Sequence, residues 1–307
     1  MKPRFSRRRF LQAGTAAALA PLASTCLAAT QTNPIKKSIP ASGEQLSVIG
    51  LGTSRTFDVS SETAAQSPLL EVMRAFFDNG GQLIDSSPMY GNAEAVTGVL
   101  LQALDYPSGL FAATKVWTYG KQQGIEQMQR SRELLGVERI DLMQIHNLRD
   151  WQVQLETLRE WKAAGRIRYI GITTSHGRYH GELETILQQQ PFDFVQFSYN
   201  IDNRVAEQRL LPIAREMGIA TLINRPYQRG SLFRKVKGQP LPDWAAEFDC
   251  ASWGQYFLKF IASHPDVTCI IPATSKLKHM VDNMAAGYGR LPDADMRKRM
   301  AAHLESI

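Results

Sequence analysis

From residue 46 onward, short apolar runs alternate strictly with longer amphipathic ones, and this alternation limits the folds open to the chain. The strand candidates are 46–52, 82–85, 109–115, 140–146, 167–173, 192–198, 219–224 and 267–272. Between them, 68–79, 94–104, 124–135, 151–164, 182–188, 205–217 and 251–263 carry apolar residues at helical spacing. Strands that alternate with helices in this way read as parallel. A doubly wound sheet satisfies the same alternation, but polar residues at the ends of many strands favour a closed (β/α)8 TIM barrel in a single domain. A chain of 307 residues is ordinary for one such barrel, and no internal repeat is evident. The longest irregular stretch, 225–243, contains Gly230, Gly238, Pro240 and Pro242 and suits a loop over the site.

The formal net charge of +6 is concentrated at the start. Lys2, Arg4, Arg7, Arg8 and Arg9 lie in the first 29 residues, which hold no acid; the remainder carries 30 basic against 29 acidic residues. A basic surface for nucleic acid therefore finds no support. The basic start is followed by an Ala-rich apolar run at 13–23 and by Ala28 and Ala29. That order is a signal peptide's, and the run is too short for a membrane-spanning helix. Ser6-Arg7-Arg8-Arg9-Phe10-Leu11-Gln12 resembles the twin-arginine (Tat) export motif, which implies export of the folded protein to the periplasm by that machinery. The expected organisation is a signal peptide at 1–29, a polar linker at 30–37 and a barrel at 38–307. Beyond the signal, Cys250 and Cys269 form no disulfide framework, and Cys269 reads as a buried strand thiol. No CxxC or HExxH occurs, and His176 with His180 lacks a nearby Cys or acid, so no metal site is expected.

Four titratable residues stand at or just past the ends of strand candidates: Asp85, Tyr90, Lys115 and His146. Each alone has an ordinary structural reading, such as Asp85 capping the Ser86–Ser87 turn or His146 as a satisfied core histidine. Together, on successive strand ends, they suggest chemistry at the lip of a barrel. Reduction of a carbonyl leaves charge on oxygen, so a proton donor must stand beside it. Tyrosine, with a pKa of about 10, needs a nearby positive charge for that task. Lys115 supplies the charge, Asp85 holds the lysine, and His146 orients the oxygen or shares the proton.

In this order and context the four resemble the catalytic tetrad of the aldo-keto reductases, and the resemblance continues from about residue 39 to 289. It implies an NADP-dependent reductase of a small aldehyde or ketone, with Tyr90 as proton donor. Gly171-Ile172-Thr173-Thr174 stands where the family usually has Gly-Val-Ser-Asn, which implies that Thr173 and Thr174 meet the nicotinamide amide; Gln196 matches the family glutamine that holds the same group. Gly52 and Thr53 end the first barrel strand beside the ligand. Asn224-Arg225-Pro226-Tyr227 replaces the family's aromatic-Ser-Pro-Leu. Asn224 and Arg225 therefore occupy cofactor positions without the usual stacking ring, for which Tyr199, Tyr227 and Trp117 are the available substitutes.

Ile271-Pro272-Ala273-Thr274-Ser275-Lys276 resembles the cofactor-phosphate loop, and Asp282-Asn283 the pair that meets adenine. Lys276, Lys278 and His279 favour NADP over NAD, although a solvated basic helix start explains the same residues. A different reading also stays open: a barrel that binds nicotinamide nucleotide as a sensor or partner-binding protein. Export adds a requirement, since oxidised cofactor would have to be reduced in place by an electron-donor partner.

Overall fold

The computed structural model describes residues 33–175 and 177–307. The expected signal peptide and His176 lie outside the described residues. The linker expected over 30–37 ends earlier than anticipated, because Lys36 and Lys37 already belong to the first strand. That strand, β1 (Lys36–Ser38), pairs antiparallel with β2 (Gln45–Ser47). The stretch 46–52 is thus not one strand but two: after β2 the chain turns and enters the barrel as β3 (Leu51–Gly52).

The barrel strands follow as β4 (Leu83–Asp85), β5 (Phe111–Val116), β6 (Ile140–Ile145), β7 (Ile167–Thr173), β8 (Phe194–Ser198), β9 (Ala220–Asn224) and β10 (Cys269–Ile270). Each pairs in parallel with the next in sequence order. The two ends of this sheet meet. Gly50 N–H donates to Ile270 O at 2.7 Å, Ile270 N–H to Val48 O at 2.9 Å and Gly52 N–H to Pro272 O at 3.0 Å. Ile49 and Ile270 form a parallel bridge at this seam. The sheet is therefore a barrel and not a doubly wound layer. Glycine is needed at the seam: a Cβ on Gly52 would lie 2.8 Å from Ile271 O, and one on Gly50 2.9 Å from Leu83 O.

Eight of the helices cover the barrel between and after its strands: α1 (Pro68–Asp78), α2 (Ala93–Ala103), α3 (Lys121–Leu135), α4 (Trp151–Ala163), α5 (His180–Gln189), α6 (Leu210–Glu216), α7 (Ser231–Lys235) and α8 (Trp253–Ala262). Two more, α9 (Leu277–Ala285) and α10 (Ala294–Glu305), follow the last strand. The helix expected over 205–217 is broken at Arg209 into a short 3-10 turn and α6. The stretch 225–243 is not irregular throughout. It contains α7, whose Leu232 is buried, and the following Val236 is buried too.

Two apolar layers result. One lies between strands and helices. The other fills the barrel with Leu83, Phe111, Ala113, Leu142, Tyr169, Phe194, Leu222 and Ile271, and Ile39 and Leu46 of the hairpin close its floor. Side chains on a strand alternate between faces, so the inward positions toward the lip are Asp85, Lys115, Gln144, Gln196 and Asn224 and, past Gly171 on β7, Thr173. The barrel interior thus changes from apolar at the floor to polar at the C-terminal end of its strands.

Helix packing on the outside leaves as little room as the seam. A Cβ on Gly98 of α2 would lie 2.0 Å from Leu134 O of α3, and a backbone atom cannot swing aside. Gly98→Ala should cost about 1–3 kcal/mol through overpacking, seen as a lower urea midpoint. An unchanged midpoint would mean that α2 and α3 separate freely.

Candidate active site

Lys115 is wholly buried, and its Nζ donates to Asp85 Oδ2 at 2.6 Å and to Ser86 O at 2.7 Å. The other carboxylate oxygen, Asp85 Oδ1, accepts Gln144 Nε2–H at 2.8 Å and Gln196 Nε2–H at 3.0 Å. Burial pulls the lysine's pKa down, but Asp85 and Tyr90 outweigh it and hold the amine above its ordinary value, so it is charged. Its Nζ stands 5.0 Å from the centre of the Tyr90 ring. Burial raises the Tyr90 phenol, Lys115 opposes this and Asp85 adds to it; the net direction is upward, so the hydroxyl keeps its proton at neutral pH.

The His146 ring meets Tyr90 edge-on, with centroids 5.8 Å apart and planes at 88°. β6 stops at Ile145, and His146 opens a short turn that Asn147 completes with φ +54°. His146 Nδ1 is 2.9 Å from Ser87 Oγ, which already accepts Met89 N–H at 3.2 Å. The serine hydroxyl is therefore free to donate to Nδ1, which leaves the ring proton on Nε2. Burial first, then the charges of Lys115 and Arg149, lowers the His146 pKa to about 2. The imidazole is therefore held neutral, and with Nδ1 accepting from Ser87 its Nε2–H is available to donate.

A cavity of about 640 Å³ opens over these groups. Its lining contains Asp85, Tyr90 and His146 together with Gly52, Thr53, Thr173, Gln196, Asn224 and Arg225. Lys115 lies beneath the lining, in contact through Asp85. Thr174 is fully buried outside it; its N–H donates to Gln196 O at 2.9 Å and its carbonyl accepts Asn224 Nδ2–H at 3.2 Å. Asn224 also donates to Gln196 Oε1 at 3.3 Å and accepts Ser198 Oγ–H at 2.6 Å.

The charged and polar residues expected to form a cofactor-phosphate loop lie outside the cavity that Asp85, Tyr90 and His146 line. Ser275, Lys276 and His279 are exposed around the start of α9, outside the cavity lining. Asp282 accepts hydrogen bonds from Ser252 Oγ and from Gln255 Nε2, the latter at 2.8 Å, and Asn283 accepts Tyr227 O–H at 2.5 Å. Of the three rings considered as substitutes at position 224, only Tyr227 reaches the cavity. Tyr199 is fully buried against Glu207 and Arg297, and Trp117 lies under the Arg149 guanidinium, 4.3 Å from its centre.

Several contributors escaped the sequence reading: Gln144, Ser87, Ser198, Arg55 and Arg229. Gln144 left a signal, a polar residue two places before His146 inside an apolar strand. No cluster of metal-ligating residues occurs among the described residues, and both Cys250 and Cys269 are buried free thiols.

The Aldo/keto reductase family model matches residues 48–304. Among curated proteins, the chain is 28% identical over 214 residues to aldo-keto reductase YhdN of Bacillus subtilis, covering 65% of this chain and 64% of that one, less than two thirds of its length. It is 24% identical over 286 residues to the NADH-specific methylglyoxal reductase of Escherichia coli, covering 74% of this chain and 85% of the relative. Among solved structures, the aldo/keto reductase from Klebsiella pneumoniae in complex with NADP and acetate superposes with a TM-score of 0.72 at 21% identity, over 85% of this chain and 93% of that one. At that identity the likeness speaks for the fold.

The low His146 pKa ties stability to acidity. Unfolding returns the ring to its ordinary 6.5, so below that pH the unfolded chain takes a proton that the folded chain refuses. Stability from this group is present above pH 6.5 and declines as the pH falls toward 2. Between pH 7 and 5 the loss is about 2 kcal/mol. Urea unfolding of His146→Gln at the two pH values should show a correspondingly smaller difference than the parent; an equal difference would place the ring in an ordinary ionisation range.

Proposed function

Because the chain belongs to the aldo/keto reductase family, we propose that it is an NADP-dependent oxidoreductase that reduces the carbonyl of a small aldehyde or ketone, with Tyr90 as general acid. One observation carries this reading: a buried Lys115–Asp85 ion pair lies directly beneath Tyr90, and His146 stands edge-on beside it in the same cavity.

The residues present suit a nicotinamide nucleotide. Thr173, Gln196 and Asn224 lie near the C-terminal ends of neighbouring strands and line one wall of the cavity. The amide hydrogens of Gln196 and Asn224 are held by their neighbours, so the Thr173 hydroxyl and the second lone pairs of the two amide oxygens are what this wall offers a carboxamide. Gly52 and Thr53 line the same cavity. Lys276 and Lys278 are exposed cations that suit a 2′-phosphate, which favours NADP; His279 beside them is exposed too, but burial and the two lysines push its pKa down, so it offers a neutral imidazole. The bound, reduced nicotinamide supplies a hydride to the carbonyl carbon.

The chain's own residues deal with the oxygen. His146 donates Nε2–H to it and fixes its direction; being neutral, the ring polarises without surrendering a proton. As negative charge grows on the oxygen, Tyr90 passes its hydroxyl proton across, and the Lys115 ammonium stabilises the tyrosinate that remains. Asp85 keeps Lys115 charged and in place, and Gln144 and Gln196 keep Asp85 in place. Tyr90→Phe should lower kcat by roughly 10²–10⁴-fold while NADPH still quenches the protein's fluorescence. Unchanged turnover would remove Tyr90 from the chemistry. A biological role that survives this variant would favour the nucleotide-sensing reading.

We further propose export to the periplasm by the twin-arginine machinery, supported by Arg7, Arg8 and the apolar run that follows. That route passes folded proteins, so cofactor would travel in place and be re-reduced by an electron-donor partner. Replacing Arg7 and Arg8 with Lys should retain the protein in the cytoplasm, and denaturing the exported parent should release stoichiometric NADP, identified by mass spectrometry. Equal export of both forms would sink the targeting assignment. An exported protein that releases no nucleotide, and binds neither NADP nor NAD on titration, would sink the reductase assignment.

A further inference from the structure

Three arginines line the cavity that holds Tyr90: Arg55 on the loop after β3, and Arg225 and Arg229 on the loop after β9. Among the described residues none of them forms an ion pair. The acids in the same lining are engaged elsewhere, Asp85 with Lys115 and Asp58 with the N–H of Asn92 at 2.9 Å. Three cations without an ion-pair partner outnumber the one carboxylate of the lining that no cation engages, Asp58, and concentrate positive potential at one concave site.

The backbone gives an independent reason to single them out. Arg55, Arg225 and Arg229 have φ of +68°, +52° and +55°, a region that favours glycine. The second loop does use glycine where the side chain carries nothing, at Gly230 with φ +84°. Holding arginine at the other positions works against local backbone preference, a pattern that collects at ligand-binding sites.

Resting on the carbonyl-reductase reading, we propose that the substrate carries an anionic group, a carboxylate or a phosphate, which Arg55, Arg225 and Arg229 hold while its carbonyl lies against Tyr90 and His146. Arg225, which the resemblance sets at a cofactor position and which here turns to the substrate instead, is the inner member. It is half-buried, it follows Asn224 directly, and its charge acts on the Tyr90 phenol. The guanidinium fork matches either oxyanion with two parallel hydrogen bonds. Met89 and Phe233, both exposed at the same mouth, offer apolar contact to the part of the substrate between its two polar ends.

The phosphates of a nucleotide present the same chemistry to these arginines, so the test separates the two sources. The full chain is assayed with NADPH on 4-carboxybenzaldehyde and methyl 4-formylbenzoate, which share a ring and an aldehyde and differ in charge. The parent should favour the acid in kcat/KM by roughly tenfold or more, and the preference should shrink as salt is raised to about 0.5 M. Arg225→Gln and Arg55→Gly should bring the acid-to-ester ratio toward one, chiefly through KM for the acid. Arg55→Gly should do so with a Tm at or above the parent's, since glycine accepts that φ.

Losses equal for both aldehydes, accompanied by weaker NADPH binding, would assign the arginines to the nucleotide and overturn the proposal. A lowered Tm with the preference intact would make them structural and overturn it as well. Turnover of both aldehydes without preference in the parent would defeat this proposal alone. Turnover of neither would defeat the reductase reading with it.

Discussion

The ion pair between Lys115 and Asp85 is the interaction on which the polar half of the barrel depends. Taking an ammonium and a carboxylate out of water costs several kcal/mol per ion, and the pair survives only if its remaining lone pairs and protons are satisfied. Here they are. Ser86 O takes a second lysine proton, and Gln144 and Gln196 both donate to the free oxygen of Asp85. Gln196 in turn donates to Gln144 Oε1 at 3.0 Å and accepts from Asn224. One charge pair thus organises side chains from β4, β5, β6, β8 and β9 into a connected layer. After burial, which is the larger cause at both rings, both members of the pair act on Tyr90 and the lysine acts on His146, so the pair that holds the layer together also tunes the groups above it.

Register determines which residues can join that layer. Asp85 pairs across the sheet with Ala113, and Lys115 pairs with Gln144. The lysine therefore starts one inward position nearer the lip than Asp85's own strand partner, a small inward alanine intervenes, and the four-carbon stem of lysine spans the step. The seam preserves this geometry. Gly50 and Gly52 let β3 approach β10 and β4 closely enough for the hydrogen bonds that close the sheet, and the polar rows then face one another across a common axis.

Much of this was legible in the sequence, for identifiable reasons. The strands could be read because alternation of apolar runs is a direct product of parallel pairing, and Asp85, Lys115 and His146 because a titratable residue ending such a run has few structural uses. What could not be read depended on tertiary contact. Residues 46–52 look continuous, yet the chain leaves the floor hairpin and crosses to the seam within them. Lys36 and Lys37 look like linker because they are themselves polar, one exposed and one half-buried, and only their pairing with β2 makes them a strand. α7 escaped because Gly and Pro around it mimic an irregular loop, whereas Phe233 packs against Tyr227 and Phe257. Gln144 was overlooked because a glutamine within an apolar strand has no meaning until its carboxylate partner is known.

The departure at Asn224 becomes intelligible through the same network. Its amide bonds Thr174 O, Gln196 Oε1 and the Ser198 hydroxyl, so three buried or half-buried polar groups depend on it. An aromatic residue at this position would leave them without that partner, and an unsatisfied buried acceptor costs about 1–3 kcal/mol. The asparagine is therefore tied to Gln196, Ser198 and the Thr174 carbonyl, and replacing it alone breaks all three contacts. It also carries the polar layer to the foot of Arg225, where a stacking ring would have ended it. Where the resemblance leads one to expect an aromatic platform at the end of β9, this barrel carries a hydrogen-bonded base beneath a cationic loop, so that wall of the cavity is polar and positively charged.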